Sequence, residues 1–98
     1  MSDVLTIVAH ARAKPGQETS ALELLRGLIA PTRAEAGCIN YDLHQSADDP
    51  ALFVFYENWA NAKDFEAHGR SAHIQKFRQR AGECLAEGPV ISKWKIVP

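Results

Sequence analysis

The octapeptide LFVFYENW, residues 52–59, decides the fold that the sequence predicts. Side chains alternate in direction along a β-strand, so each face of this segment can be read from every second residue. One face carries Phe53, Phe55 and Trp59, and the other carries Leu52, Val54 and Tyr56. A strand that is apolar on both faces must be covered on both faces. We therefore expect helices on one side and a second apolar surface on the other.

The rest of the chain predicts three more strands and the helices between them. Alternating or apolar runs predict strands over residues 4–14, 38–46 and 90–97. Apolar residues at helical spacing predict a helix over 18–30, which Pro31 ends or kinks. Asn61 caps a short helix that ends near His68, and Gly69 takes a left-handed cap. Ser71 starts a further helix, and the turn EGP at 87–89 ends it.

The resulting order is β-α-β-β-α-β, the ferredoxin-like arrangement of an α+β protein. With 98 residues and no linker or repeat, the chain is predicted to form one domain over residues 1–98 with a four-stranded antiparallel sheet. Two helices can cover only one face of that sheet. We expect a second copy of the chain to cover the other face, which predicts a homodimer with sheets packed face to face.

Composition excludes several classes of function. A net charge of -1 without a dense basic run gives no reason to expect nucleic acid or a membrane surface as partner. Cys38 and Cys84 are too few for a disulfide framework and too far apart for a zinc motif. We see neither a signal peptide nor about 18 consecutive apolar residues, so a cytoplasmic location is expected.

The segment FEAHGRSAHIQKF, residues 65–77, contains the most informative pair of titratable residues, His68 and His73. On a continuous helix two residues five positions apart lie roughly 140° apart, which does not suit two ligands of one metal. No carboxylate or cysteine stands nearby at a known ligand spacing, so no metal site is predicted. Neither a G-x-S-x-G elbow nor a glycine-rich phosphate loop is present.

Acid–base catalysis in an apolar cavity is the remaining interpretation of the two histidines. Histidine can gain or lose a proton near neutral pH. Such a cavity, between sheet and helices, would suit a flat aromatic ligand, and its predicted lining is Phe55, Tyr56, Trp59, Phe65 and Phe77. Asn40 is unusual in the middle of a strand, so its amide is expected to bond something specific. Each of these residues also has a purely structural interpretation. The aromatic residues can belong to the hydrophobic core, and His73 can be a surface residue of its helix. His68 can interact with the negative end of a helix dipole, and Asn40 can form a hydrogen bond to a neighbouring loop.

Several motifs in order resemble the antibiotic biosynthesis monooxygenase (ABM) domain family, most closely its bacterial quinol monooxygenase branch. They are E-x-G-C-x-x-Y at 35–41, the D-D-P hairpin at 48–50, E-x-W at 57–59 and His-x4-His at 68–73. The resemblance covers nearly the whole chain. It implies a dimeric α+β barrel that oxygenates a quinol or a related phenolic or polycyclic aromatic compound with O2. It also implies that no metal, flavin or haem is needed as a cofactor.

The resemblance also implies roles for individual residues. His68 would be the base, and Asn40 and Trp59 would hold the ring oxygen or O2. The substrate-binding residues would be Tyr41, Phe55, Tyr56, Phe65, His73 and Phe77. Haem degradation is not favoured, because haem-degrading relatives use an Asn late in the first strand, where this chain has Ala9 and His10.

Two other functions stay open. One is an isomerase of a small phosphorylated carbonyl compound, which would need a cationic anchor such as Arg12 or Arg33 in the pocket. The other is a dimeric ligand-binding protein without turnover.

Overall fold

The computed structural model describes residues 3–98 and contains four strands and four helices in that range. The strands are β1 (Leu5–Ala13), β2 (Cys38–Gln45), β3 (Leu52–Trp59) and β4 (Leu85–Trp94). The helices are α1 (Glu18–Arg26), α2 (Ile29–Arg33), α3 (Ala62–Gly69) and α4 (Ala72–Cys84). None of the helices described is both long and apolar enough to span a membrane.

All strand pairs are antiparallel, and the order across the sheet is β2-β3-β1-β4. The two central strands are therefore the first and third in the chain, with Val8 of β1 between Tyr56 of β3 and Ser92 of β4. This order, with the helices inserted between β1 and β2 and between β3 and β4, is the predicted ferredoxin-like arrangement. The fold prediction is confirmed.

The two faces of the sheet differ in how well they are covered. On the helical face, Ile7, Phe53 and Trp59 are almost completely buried. On the opposite face, Tyr56 is 46% exposed and Trp94 is 57% exposed. We call this second surface the open face. Its apolar side chains match the predicted pattern, and its covering by a second copy of the chain stays a prediction.

The first helix breaks earlier than the sequence predicts. The helix α1 ends at Arg26, and α2 begins at Ile29, so the interruption lies at Gly27 and Leu28 rather than at Pro31. Pro31 lies in the first turn of α2, where a backbone N–H has no intrahelical partner. The helix therefore does not end at Pro31, because proline does not disrupt a first turn. The chain is instead interrupted about one turn before it.

The last strand also begins earlier, at Leu85, and it includes the Glu-Gly-Pro segment that was predicted to be a turn. Gly88 has a φ of 90°, and a Cβ there would lie 2.5 Å from the backbone oxygen of His10. The pairing with β1 shifts in register between His10 and Arg12. Glycine thus permits a bulge against β1, and the turn prediction at 87–89 is wrong.

Candidate active site

A cavity of about 290 Å3 lies between the sheet and the helices α3 and α4. Its wall is mostly aromatic and aliphatic. Three of its side chains are both titratable and buried, namely those of Tyr41, Glu57 and His68. The lining includes Tyr41, Phe55, Glu57, Phe65, His68, Ile74, Phe77 and Arg78. A concave apolar site with a small number of placed polar groups is typical of small-molecule binding.

The two histidines approach each other because the helix between them is interrupted. The helix α3 ends at Gly69, and α4 begins at Ala72. Ser71 connects them, and its hydroxyl donates a hydrogen bond of 2.7 Å to the backbone oxygen of His68. The imidazole centres of His68 and His73 are 6.0 Å apart. The left-handed cap predicted at Gly69 is wrong, because the described glycines with positive φ are Gly16, Gly37 and Gly88.

Glu35 joins the two imidazoles through one carboxylate oxygen. Its Oε2 lies 2.6 Å from Nδ1 of His68 and 2.9 Å from Nε2 of His73. A carboxylate only accepts hydrogen bonds, so each of these ring nitrogens carries the hydrogen. Consequently His68 presents its other nitrogen, Nε2, as an acceptor. No residue between 3 and 98 forms a hydrogen bond with that Nε2.

The loop between α2 and β2 holds Glu35 at this place. The backbone N–H of Glu35 donates to the oxygen of Thr32, and Gly37 follows with a φ of 81°. Gly37 accepts a hydrogen bond of 2.8 Å from the N–H of Ala60, which precedes α3. A Cβ at Gly37 would collide with the side chain of Asp64. The loop can therefore lie against α3 only because residue 37 is glycine.

His68 is enclosed by aromatic rings. It is 6% exposed, and its ring centre lies 4.8 Å from that of Trp59 and 5.6 Å from that of Tyr41. Burial lowers the pKa of His68, although the hydrogen bond to Glu35 acts in the opposite direction. The imidazole is therefore neutral at neutral pH, as a general base must be before it accepts a proton.

Glu57 is a second titratable group of the cavity wall. It is 3% exposed, and its Oε1 accepts a hydrogen bond of 2.9 Å from the indole N–H of Trp59. Burial raises the pKa of Glu57 to about 7, against the lowering effect of that hydrogen bond. This carboxyl is thus largely protonated just below neutral pH, whereas an exposed glutamate is not.

Glu35, His68 and His73 could also hold a metal ion, since one donor atom from each lies within 4.8 Å of the other two. Ligands of a tetrahedral zinc at about 2.0–2.1 Å are separated by about 3.3 Å. The two contacts to Glu35 are shorter, at 2.6 and 2.9 Å, and have the lengths of hydrogen bonds. The sequence shows no carboxylate near the histidines at a known ligand spacing, and the fold brings Glu35 to them from 33 positions away.

The structure brings most of the predicted site residues to this cavity. Trp59 is fully buried behind the ring of His68 and does not line the space itself. His73 contacts Glu35 at the edge of the cluster. The predicted residues that line the cavity are Tyr41, Phe55, Phe65, His68 and Phe77. Their roles in catalysis and substrate binding stay predictions.

Asn40 and Tyr56 lie elsewhere. The amide of Asn40 donates hydrogen bonds to the carboxylate of Asp42 at 3.0 Å and to the backbone oxygen of Tyr56 at 3.2 Å. It also accepts one from Asn58, its partner in β3. These side chains belong to the open face because their strand positions alternate with the buried ones. The expectation that Asn40 and Tyr56 share a cavity with His68 is therefore wrong.

Three groups of the site were not predicted as site residues, namely Glu35, Glu57 and Arg78. The alternation of side chains along β3 could have identified Glu57, because it lies on the same face of the strand as Phe53, Phe55 and Trp59. The guanidinium of Arg78 lies at the cavity and donates to the backbone oxygen of Gly69.

The two arginines predicted as anchors lie outside the cavity lining. Arg12 pairs with Asp49 at 2.8 Å, and Arg33 pairs with Asp42 at 3.1 Å.

Known proteins share this fold, and those described next are 26–36% identical to this chain. The crystal structure of PA3566 from Pseudomonas aeruginosa superposes with a TM-score of 0.93 and 36% identity, covering 100% of this chain and 98% of that one. The Mycobacterium tuberculosis protein named "Putative monooxygenase Rv0793" is 34% identical over 85 residues, which are 87% of this chain and 83% of the relative. The chain spans 64% of the length of the uncharacterized Synechocystis protein sll1783, with 26% identity over 94 residues.

The family model described as "Antibiotic biosynthesis monooxygenase" matches residues 4–80, which include the whole Glu35–His68–His73 cluster and Glu57. The resemblance noted from the sequence motifs is thereby confirmed. The chain belongs to the antibiotic biosynthesis monooxygenase (ABM) family.

Proposed function

We propose that the protein is a cofactor-independent monooxygenase that oxidises a quinol or a related phenolic or polycyclic aromatic compound with O2. The observation that carries the proposal is the position of His68 between Glu35 and the aromatic cavity. A fixed, neutral imidazole that turns an unpaired nitrogen away from its carboxylate partner can remove a phenolic proton. The names of relatives such as the Mycobacterium tuberculosis protein support the same class of reaction.

The reaction needs little from the protein besides a base and an enclosed space. His68 takes the phenolic proton, and the resulting phenolate gives one electron to O2. The phenoxyl radical and superoxide combine at a ring carbon to give a peroxide. One oxygen atom stays on the ring as a carbonyl, and the other leaves as water with the two hydrogens of the phenol O–H and the ring C–H. The substrate is its own reductant, so orientation, deprotonation and exclusion of water account for catalysis.

The walls of the cavity suit a flat ring. Tyr41 and Phe55 stack on each other with ring centres 4.5 Å apart, and Phe65 lies 6.0 Å from His68. The volume of about 290 Å3 lies just below the usual range for ligand sites, roughly 300–1,000 Å3. We infer that the substrate has a compact ring system of a few fused or linked rings.

We also propose that the working unit is a homodimer formed through the open face of the sheet. Val90 and Trp94 of β4 and Tyr56 of β3 are between 44% and 57% exposed on that face. A sheet surface of this kind is normally covered by another layer. A second copy of the chain offers a matching apolar surface.

Oxygen consumption by the metal-free protein with a series of hydroquinones tests the proposed reaction. The His68→Gln variant should lose on the order of 10²-fold or more in kcat, because glutamine cannot accept the proton. His44→Gln is the matched control, since His44 is exposed near the end of β2. Wild-type activity that survives in His68→Gln would refute the assignment of the base.

The two alternatives predict other results. A ligand-binding protein would bind the hydroquinones and leave oxygen consumption at the background rate. An isomerase would shift a carbonyl along a phosphorylated substrate, which NMR spectroscopy detects without any consumption of oxygen.

A further inference from the structure

Glu57 is a buried carboxyl that has one hydrogen bond and no cationic partner. Its Oε1 accepts from the indole of Trp59, and within residues 3–98 no lysine, arginine or histidine forms an ion pair with it. The side chain is 3% exposed and lines the same cavity as His68. A buried charge without a partner is costly, so the fold favours the neutral acid.

The surroundings of Glu57 do not supply a compensating charge. The titratable or charged groups on the sheet near Glu57 are Cys38 and Tyr41 of the adjacent strand β2 and Lys93 of β4, which lies beyond β1. Those on the loop and helices are Glu35, Glu66, His68 and Arg78. Lys93 lies 5.9 Å above the ring of Phe65, and Arg78 donates to the backbone of Gly69. The negative charge of Glu35 further disfavours ionisation of Glu57.

We propose that Glu57 is the proton donor to the reduced oxygen species formed in the cavity and that it works together with the base His68. This inference rests on the proposed oxygenase function. It adds a second catalytic residue, one that touches the oxygen intermediate rather than the phenolic hydroxyl. The cavity then contains one acceptor and one donor of protons, as a reaction that moves two protons requires.

The assignment balances the protons of the reaction. After His68 has taken the phenolic proton and the C–O bond has formed, Glu57 protonates the distal peroxide oxygen. The Glu57 carboxylate then removes the hydrogen of the same ring carbon as the O–O bond breaks, which leaves a carbonyl and releases hydroxide. Protonated His68 gives its proton to that hydroxide and forms water. Both side chains return to their starting protonation states.

The Glu57→Gln variant tests this role without removing the local hydrogen bond, because the amide oxygen can still accept from Trp59. We expect kcat to fall about 100-fold while the Kd for an unreactive phenol changes less than about threefold. Glu57→Asp keeps the acid and should recover part of the activity. Glu83→Gln on the exposed side of α4 is the matched control and should behave as the wild type.

The pH profile separates a donor from a structural residue. The wild-type kcat should fall as pH rises through about 7, where Glu57 loses its proton, and this alkaline limb should be absent in Glu57→Gln. Infrared difference spectra should contain a carboxylic acid band that disappears over the same pH range and is missing in Glu57→Gln. An active Glu57→Gln variant with the wild-type profile would overturn the inference. A wild type that consumes no oxygen with any hydroquinone would overturn the oxygenase proposal and the donor role together.

Discussion

The Nδ1 of His68 lies 2.6 Å from Oε2 of Glu35, although 33 positions separate the two residues in the chain. The contact joins the last turn of α3 to the loop before β2. It determines which ring nitrogen of His68 carries the hydrogen and therefore which one can act on a ligand. The orientation of the base depends on this carboxylate.

Replacing Glu35 by glutamine should lower kcat on the order of 10²-fold or more. The amide oxygen can still accept from both rings, because both contact a single oxygen of Glu35, but the side chain lacks the negative charge that stabilises protonated His68. Steady-state oxygen consumption measures the loss. Glu23→Gln, which removes an exposed carboxylate paired with Arg26, is the control and should leave kcat unchanged. Equal rates in the two variants would mean that Glu35 does not support the base.

The activity of the wild type should depend on pH in a bell shape. The acidic limb belongs to His68, whose pKa is lowered by burial, so activity should persist below the pKa of about 6.5 of an unperturbed histidine. The alkaline limb belongs to Glu57, near pH 7. Rates measured across a pH series with one hydroquinone test both limbs. A single limb that rises steadily with pH would contradict the assignment of an acid.

Glu57 should also make the stability of the fold depend on pH. Its pKa rises from 4.5 to about 7 on folding, so the folded state binds the proton more tightly than the unfolded state. Stability from this group is fully present below pH 4.5 and is lost as pH rises through 7. The loss corresponds to about 3 kcal/mol.

Urea unfolding of the wild type and of Glu57→Gln at several pH values checks this dependence. The free energy of unfolding of the wild type should decline relative to that of the variant between pH 4.5 and about 7. Parallel curves across that range would contradict the buried, proton-binding state of Glu57.

Gly37→Ala should destabilise the protein and displace Glu35 from the histidines. The substitution puts a side chain at a φ of 81° and against Asp64. Gly16→Ala is the matched control, because its φ is 83° but no atom lies within 4 Å of the added Cβ. We expect about 1 kcal/mol for Gly16→Ala and about 2 kcal/mol or more for Gly37→Ala. Thermal unfolding measures both, and equal losses would refute the close packing of this loop on α3.

A charge on the open face should separate the proposed dimer. Trp94→Glu adds a carboxylate to an exposed apolar surface of β4, whereas Gln79→Glu adds one to the exposed side of α4. Sedimentation velocity should give a dimer for the wild type and for Gln79→Glu, and a monomer for Trp94→Glu. A monomeric wild type would exclude the dimer.

The sequence predicted the sheet and the general location of the cavity because those features depend on local periodicity. The strand at 52–59 was predicted with its observed bounds, since the segment is apolar almost throughout and short enough for a buried strand. Asn61 was predicted as an N-cap, and its Oδ1 does accept from the N–H of Asp64 at 2.8 Å. These signals act within a few residues of one another.

The features that were missed depend on contacts between distant segments. Glu35 stands in a loop, and nothing in the local pattern indicates that it lies beside His68. Asn40 was assigned to the cavity from the family resemblance, together with Tyr41, although adjacent residues of a strand point to opposite faces. The position of Glu57 on the apolar face of β3 could be read from the local sequence, but a lone acid on such a face is not usually expected to be buried.

Incubation of the metal-free protein with a hydroquinone under isotopically labelled O2, followed by mass spectrometry of the product, measures the proposed chemistry most directly. We predict that one labelled oxygen atom enters the product, at a rate that falls on the order of 10²-fold or more in His68→Gln. A product that takes its oxygen from water, or one that takes the label equally fast without His68, would contradict oxygenation with His68 as the base.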